Sequence, residues 1–233
     1  MKRSQRFMSF LLTMATVFLI FSNGIIPVAA IDEEMTQTNS GETEIVVSGE
    51  CGATATWKID SYGVMYIEGT GAMYDYWPHS DYQWKPYQPI IQKVVIGEGI
   101  TRIGNSVFNN CKVLREAVIS NSVTVIGNNA FEGCTALTDV YFGSGLQVIG
   151  ESAFSKCQSL VEMEIPHSVQ TIGGYAFYGC ANLEMVVLGD SVVLIGGRAF
   201  AECKNLQEIT IPFSVRTIDS FAFQACTNLK RVN

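Results

Sequence analysis

The sequence predicts an α/β solenoid: six like coils stacked behind a small β-rich segment. Three observations predict it. Cysteine recurs every 23 residues, at Cys111, Cys134, Cys157, Cys180, Cys203 and Cys226. Phenylalanine recurs in phase three residues earlier, at Phe108, Phe131, Phe154, Phe177, Phe200 and Phe223. Isoleucine keeps the same step at Ile103, Ile126, Ile149, Ile172, Ile195 and Ile218. Columns that hold one phase mark residues 91–233 as copies of one unit, six complete and a seventh begun at Leu229.

The N-terminus reads differently. Lys2, Arg3 and Arg6 precede an apolar run from Phe7 to Phe21, and Val28-Ala29-Ala30 follows. That order of basic, apolar and small residues predicts a secretory signal peptide over residues 1–30. The run is short for a membrane span, so no span is expected after cleavage. Removing those residues takes away three basic side chains and no acid, moving the net charge from −7 to −10. Residues 31–45 carry Asp32, Glu33, Glu34, Glu42 and Glu44 without a basic residue, which predicts a solvated, disordered acidic segment.

Residues 46–90 predict a β-rich cap on the first coil. Trp57, Ile59, Val64, Tyr66 and Ile67 suit strands, with Gly69 to Gly71 expected to turn the chain. Residues 74–87 hold six aromatics in fourteen positions. A stack of repeats has an open apolar end that something must cover, and this segment is placed to do it.

One repeat shows the logic. In Leu114 to Ala136, Ala117 and Ile119 alternate with Glu116 and Val118, the period of a half-buried strand. A turn at Ser120 to Ser122 leads to a second buried edge at Val123 and Ile126. Gly127 recurs as Gly104, Gly150, Gly173 and Gly196, which predicts either a positive φ or a close backbone approach. Ala130-Phe131 through Cys134 reads as about one helical turn. The strands of successive repeats would form one parallel sheet, and the bulkier helical turns opposite it would make that sheet the concave wall.

The pattern L-x-x-V-x-I-P-x-S-V-x-x-I-G-x-x-A-F-x-x-C is clearest from Leu160 to Asn182. It resembles the BspA-like, treponemal-type leucine-rich repeat over residues 91–233. Ser48-Gly-Glu-Cys51-Gly, Trp57-Lys-Ile-Asp60, Ile67 to Tyr76 and Pro86-Tyr87 resemble the segment that precedes such repeats in secreted proteins of anaerobic and gut bacteria. The resemblance implies a leucine-rich repeat fold with short helical turns on the convex side. It also implies a secreted or cell-surface binding protein, often an adhesin, without catalysis or cofactor. It names no ligand.

The residues themselves point the same way on chemistry. The cysteine ladder reads best as buried thiols acting as small hydrophobes. Bridging would require like side chains in neighbouring coils to turn toward each other, and a row of thiols does not converge on a metal. The two histidines, His79 and His167, belong to no metal-ligand or catalytic spacing, and there is no nucleophile elbow or phosphate loop. His167 falls at a turn. The repeats carry 12 acidic and 10 basic residues, which leaves no basic footprint for nucleic acid.

Two surfaces stand out. On the concave face, Glu116, Asp139, Glu162 and Glu164 surround Tyr141, with Val118 and Val187 beside them; these seven are the candidate contacts for a protein or other surface macromolecule, the carboxylates around the Tyr141 anchor suiting a basic peptide or a cation. The alternative is the aromatic loop, with Tyr76, Trp77, Tyr82 and Trp84 as a stacking platform for a glycan. A third role, a structural stalk within a larger surface protein, is also open. The seventh repeat stops inside its strand, which leaves two expectations open: further repeats in a longer protein, or self-association through the C-terminal end.

Overall fold

The computed structural model describes residues 19–21, 24–26, 44–77 and 81–232. The signal peptide and its cleavage point at Ala30, most of the acidic segment and His79 lie outside the described residues, apart from a short antiparallel hairpin of β1 (Leu19–Phe21) and β2 (Gly24–Ile26). Residues 43–233 form one compact unit.

That unit opens with three antiparallel strands, β3 (Ile45–Glu50), β4 (Gly52–Asp60) and β5 (Val64–Met73). Gly69 and Gly71 do not turn the chain. They lie inside β5 at φ 100° and 81°, conformations that favour glycine, and mark where the strand changes partner. Its first half, Val64 to Ile67, pairs in parallel with β6 (Lys93–Ile96). Its second half, at Gly71 and Ala72, pairs with β7 (Ile100–Ile103).

Each later repeat contributes one strand to each of two ladders. The first ladder continues from β6 through β8 (Glu116–Ile119) and β10 (Asp139–Tyr141), then resumes as β12 (Glu162–Glu164), β14 (Met185–Val187), β16 (Glu208–Thr210) and β18 (Arg231–Val232). The second runs unbroken from β7 through β9 (Val125–Ile126), β11 (Val148–Ile149), β13 (Thr171–Ile172), β15 (Leu194–Ile195) and β17 (Thr217–Ile218). All neighbours are parallel, in register at 23-residue offsets.

The flank opposite the strands is not helical. The predicted helical turn from Ala130 to Cys134 is a run of tight turns, and the only helical element among the described residues is one 3-10 turn, Lys85–Tyr87. The reason lies in where the amides go. Ser106, Phe108 and Asn110 donate to the carbonyls of Asn128, Ala130 and Glu132 in the following repeat, at 2.9, 2.8 and 2.7 Å. Asn129, Phe131 and Gly133 then donate to Glu151, Ala153 and Ser155, and the pattern repeats along the stack. Amides committed to the next coil cannot close bonds within an α-helix. Positive φ angles at Asn129 and Gly133 and at their equivalents give the zigzag that aims them outward. The flank is thus a third hydrogen-bonded ladder.

The core lies between the three ladders. The phenylalanine rings stack at near-parallel angles, 5.1 Å apart between Phe108 and Phe131 and 5.2 Å between Phe131 and Phe154. Each such pair adds about 0.5–1.5 kcal/mol beyond the area it buries. The cysteines are free, and from the second repeat on each ladder thiol donates to the phenylalanine carbonyl of the coil before it: Cys134 to Phe108 at 3.1 Å, Cys157 to Phe131 at 3.1 Å, Cys180 to Phe154 at 3.2 Å. A thiol therefore fills a small apolar slot and also satisfies a buried acceptor. Burial pushes the Cys111 and Cys180 thiols up to about 12. The repeated glycine answers to close approach rather than positive φ. A Cβ on Gly127 would lie 2.7 Å from the Gly104 carbonyl carbon, and one on Gly150 2.8 Å from that of Gly127.

The first-strand face departs from the continuous sheet expected of it. β10 and β12 belong to consecutive repeats, yet they do not pair. The face is split into a part ending at β10 and a four-stranded part starting at β12.

Candidate functional site

The face of the first ladder positions the predicted contacts by strand alternation, which turns every second side chain outward. Register sets Glu116 beside Asp139 and Val118 beside Tyr141 on one side of the split, and Glu162 beside Met185 and Glu164 beside Val187 on the other. Tyr141 is 56% exposed, Val187 50% and Met185 46%. Asp139, Glu162 and Glu164 are exposed, whereas Val118 is half-buried.

The charges on this face are not equivalent. Lys93 pairs with Glu116 at 2.9 Å, and Arg231 with Glu208 at 3.0 Å. Glu116 thus shares the predicted acidic patch with a counter-charge, while Asp139, Glu162 and Glu164 are the exposed carboxylates of that patch. Asp139 also accepts a hydrogen bond from the Thr138 hydroxyl at 2.8 Å. His167, at the edge of the same region, is exposed and sits 2.9 Å from Asp190.

Between β10 and β12 lies a cleft of about 510 Å³, lined by Val140, Tyr141, Phe142, Glu164, Pro166 and His167 among others. Sequence reasoning missed it. The signal was present: Phe142 is an aromatic in a column otherwise filled by Ile96, Ile119, Ile165, Leu188 and Ile211. Its ring packs edge-on against Phe154 at 5.9 Å and stays half-buried, and Val140 beneath it is opened to the same degree.

The aromatic segment is assembled differently. Trp84 is wholly buried and packs against Trp57, Tyr76 and Tyr82 at 5.8, 5.3 and 5.0 Å. Its indole N–H donates to the carbonyl of Val107 at 3.0 Å. Tyr76 donates its amide to Asn105, and Gln88 its side-chain amide to Asn109, both at 2.9 Å. These three carbonyls are the ones that, in later repeats, receive the amides of the preceding coil. Tyr76 and Tyr82 are half-buried, and burial raises the Tyr82 phenol above its ordinary value. Trp77 is 82% exposed. The segment therefore presents one of the four predicted aromatics fully to solvent, rather than a platform of four.

Asp75 completes the join. It accepts the Asn105 amide at 2.7 Å and pairs with Arg102 at 2.6 Å. In the next coils, the side chains of Asn105 and Asn128 accept the amides of Asn128 and Glu151 in the same way. Burial opposes the charged form of Asp75, but the bonds from Arg102 and Asn105 outweigh it and hold the carboxyl below its usual range.

Residues 87–205 and 147–233 match the family described as BspA type leucine-rich repeat region. The chain belongs to that family. No curated protein matches it. Among solved structures, this BspA-type chain is similar to a leucine-rich cell surface protein from Faecalibacterium prausnitzii, with 25% identity and a TM-score of 0.54, over 82% of this chain and 54% of the other. It therefore spans about half the length of that relative. It is also similar to a leucine-rich repeat protein from T. pallidum (23% identity, TM-score 0.49, 78% of this chain and 91% of the other). A leucine-rich repeat protein from Eubacterium ventriosum matches at 18% identity and a TM-score of 0.44, over 80% and 77%. Among the described residues, no helix is long and apolar enough to cross a membrane.

Proposed function

We propose that this chain is a non-catalytic binding protein, adhesin-like and secreted or displayed at the cell surface. It holds a protein or other surface macromolecule on the face of β8, β10, β12 and β14. One observation carries the reading: the face exposes Tyr141, Met185 and Val187 beside Asp139, Glu162 and Glu164, while Lys93 and Arg231 are engaged with Glu116 and Glu208. Half-exposed apolar side chains flanked by one sign of charge suit a partner with apolar anchors and a basic rim. The F. prausnitzii relative, described as a cell surface protein, supports the location, as does the basic-then-apolar start of the chain. In this reading residues 46–90 are the cap of the repeat domain.

The test compares wild type with the double variant Tyr141→Ala, Glu162→Lys on arrays of extracellular proteins. The variant should keep its circular dichroism spectrum and unfolding midpoint and lose the signals of wild type. Equal signals from both proteins would sink the claim.

A second reading rests on Trp77, an indole 82% exposed and of the kind that stacks on a sugar. A glycan-array signal abolished by Trp77→Ala, and untouched by the double variant, would favour it.

A further inference from the structure

The cleft between β10 and β12 is a pit in the surface of a closed stack. Through the same junction the second ladder continues, with Val148 against Thr171 and Ile149 against Ile172. The turn ladder continues too, with Phe131 donating to Ala153 and Phe154 to Ala176, both at 2.8 Å. The Ser159 hydroxyl donates to the Thr135 carbonyl at 2.7 Å, and the Ser168 hydroxyl to that of Leu146 at 2.6 Å. The neighbouring coils are thus tied everywhere but on the first-strand face. The cleft therefore has a floor, and it can take a side chain from outside but no further strand.

Its borders are set by the turns that follow the strands. On one side the turn Gly143-Ser144-Gly145 is pinned to the coil before it, where the Asn121 side-chain oxygen accepts the Ser144 amide and hydroxyl at 2.8 and 3.0 Å. On the other stands Pro166, which has no amide to give Phe142, whereas Ser120, its equivalent two coils earlier, donates to Ile96 at 3.2 Å. The volume of about 510 Å³ falls in the range of ligand clefts. Val140, Phe142 and Pro166 give the lining apolar surface, and Tyr141 gives it an exposed ring. Asn121 and Ser168 are already bonded within the fold, and His167 lies 2.9 Å from Asp190. Among the described residues Glu164 is the only carboxylate in the lining, and no lysine or arginine lines it. Exposed Asp139 and Glu162 on the flanking strands carry the same sign. The cleft is thus apolar, aromatic on one wall, and anionic at one point.

Those three properties select among cations. An ammonium is compact and strongly hydrated, so apolar walls strip its water at a cost. A guanidinium is more weakly hydrated, lies flat on an aromatic ring, and meets a carboxylate through two parallel hydrogen bonds. Its methylene stem covers apolar surface on the way in. We propose that the cleft is a socket for one arginine side chain of a protein partner. The stem rests on Val140, Phe142 and Pro166, and the guanidinium lies against Tyr141 and pairs with Glu164. This rests on the reading of the β8 to β14 face as the binding surface, and names the anchor that the partner brings to it.

The test uses the full chain, backbone amide NMR and capped amino acids as probes: N-acetylarginine amide, N-acetyllysine amide and N-acetylcitrulline amide, the last keeping the shape of arginine without its charge. The arginine probe should shift the amides of Tyr141, Phe142 and Glu164 with a Kd of about 1 mM. The lysine probe should be weaker by about threefold or more, and citrulline by about tenfold or more. Glu164→Gln should weaken the arginine probe to the level of citrulline, and Tyr141→Leu should weaken it by about threefold or more. Both variants should keep the unfolding midpoint, since both side chains are exposed. The proposal is overturned if arginine shifts no amide of the cleft up to about 20 mM, if lysine or citrulline binds as tightly, or if Glu164→Gln binds as wild type does. Methyl hexosides that shift these amides where arginine does not would overturn it too and assign the cleft to a sugar. On the protein arrays, a signal lost in Tyr141→Ala, Glu162→Lys and retained in Glu164→Gln would leave the face as the binding surface and remove the arginine socket. A signal lost in both supports the socket, and one lost in neither ends both readings.

Discussion

The first and the sixth coil are built from the same repeat and are bounded differently among the described residues. At the first coil every ladder is closed: β5 serves both strand ladders, and Tyr76, Trp84 and Gln88 meet the carbonyls of Asn105, Val107 and Asn109. At the sixth coil the amides of Phe221, Phe223 and Ala225, which point onward in every earlier repeat, meet no acceptor among the described residues. Ile218 and Val232 are exposed there, while Ile195 and Ile209, their equivalents one coil earlier, are buried. The turn ladder has a direction, with amides donating forward, so the front needs donors and the back needs acceptors. At the first coil the indole of Trp84, the side-chain amide of Gln88 and the backbone N–H of Tyr76 supply those donors.

The largest effect should come from breaking the finished end. Trp84→Ala removes a buried ring and its N–H together, and should cost about 3–5 kcal/mol in urea unfolding. Trp84→Phe keeps most of the ring and leaves the Val107 carbonyl without its donor, for about 1–3 kcal/mol. A loss below about 0.5 kcal/mol for Trp84→Phe would show that the indole bond does not close the ladder.

A smaller effect separates the interior from the sixth coil. Phe131 is stacked on Phe108 and Phe154, whereas Phe223 is stacked on Phe200 alone among the described residues. Phe131→Ala should cost about 3–5 kcal/mol and Phe223→Ala less than half as much, since repeat stability is a sum over neighbours. Equal losses would mean that the last coil is held as firmly as the middle.

The smallest effect concerns the thiols. Cys226 is partly exposed, with its thiol pushed by burial to about 11, while Cys134, Cys157 and Cys180 are wholly buried. Alkylation of the native protein near pH 8 should reach Cys226 first and the interior thiols only on unfolding, as mass spectrometry would show. The pH dependence follows from raised folded-state values. An unfolded thiol loses its proton near 9.0, but Cys111 and Cys180 hold theirs to about 12. Their contribution is complete below pH 9 and is lost as pH rises from 9 to 12, by about 1.4 kcal/mol per pH unit for each thiol. A midpoint unchanged between pH 8 and 10.5 would contradict this.

The sequence by itself determined the repeat, its 23-residue step, the inward columns of Phe, Ile and Cys, and the outward set containing Tyr141, Glu162 and Glu164. Alternation and periodicity are local, and each copy restates them. It did not determine the form of the turn flank. Ala130 to Cys134 has a helix-compatible pattern, and only the presence of a next coil draws its amides outward. Nor did it determine that Lys93 and Glu116 pair, because they meet across strands 23 residues apart. The role of Trp84 was hidden in the same way, although it lies one repeat length before its acceptor Val107. That β10 and β12 do not pair was decided in the tertiary structure: Phe142 marks the position along the chain, but pairing is a property of two coils packed against each other 23 residues apart.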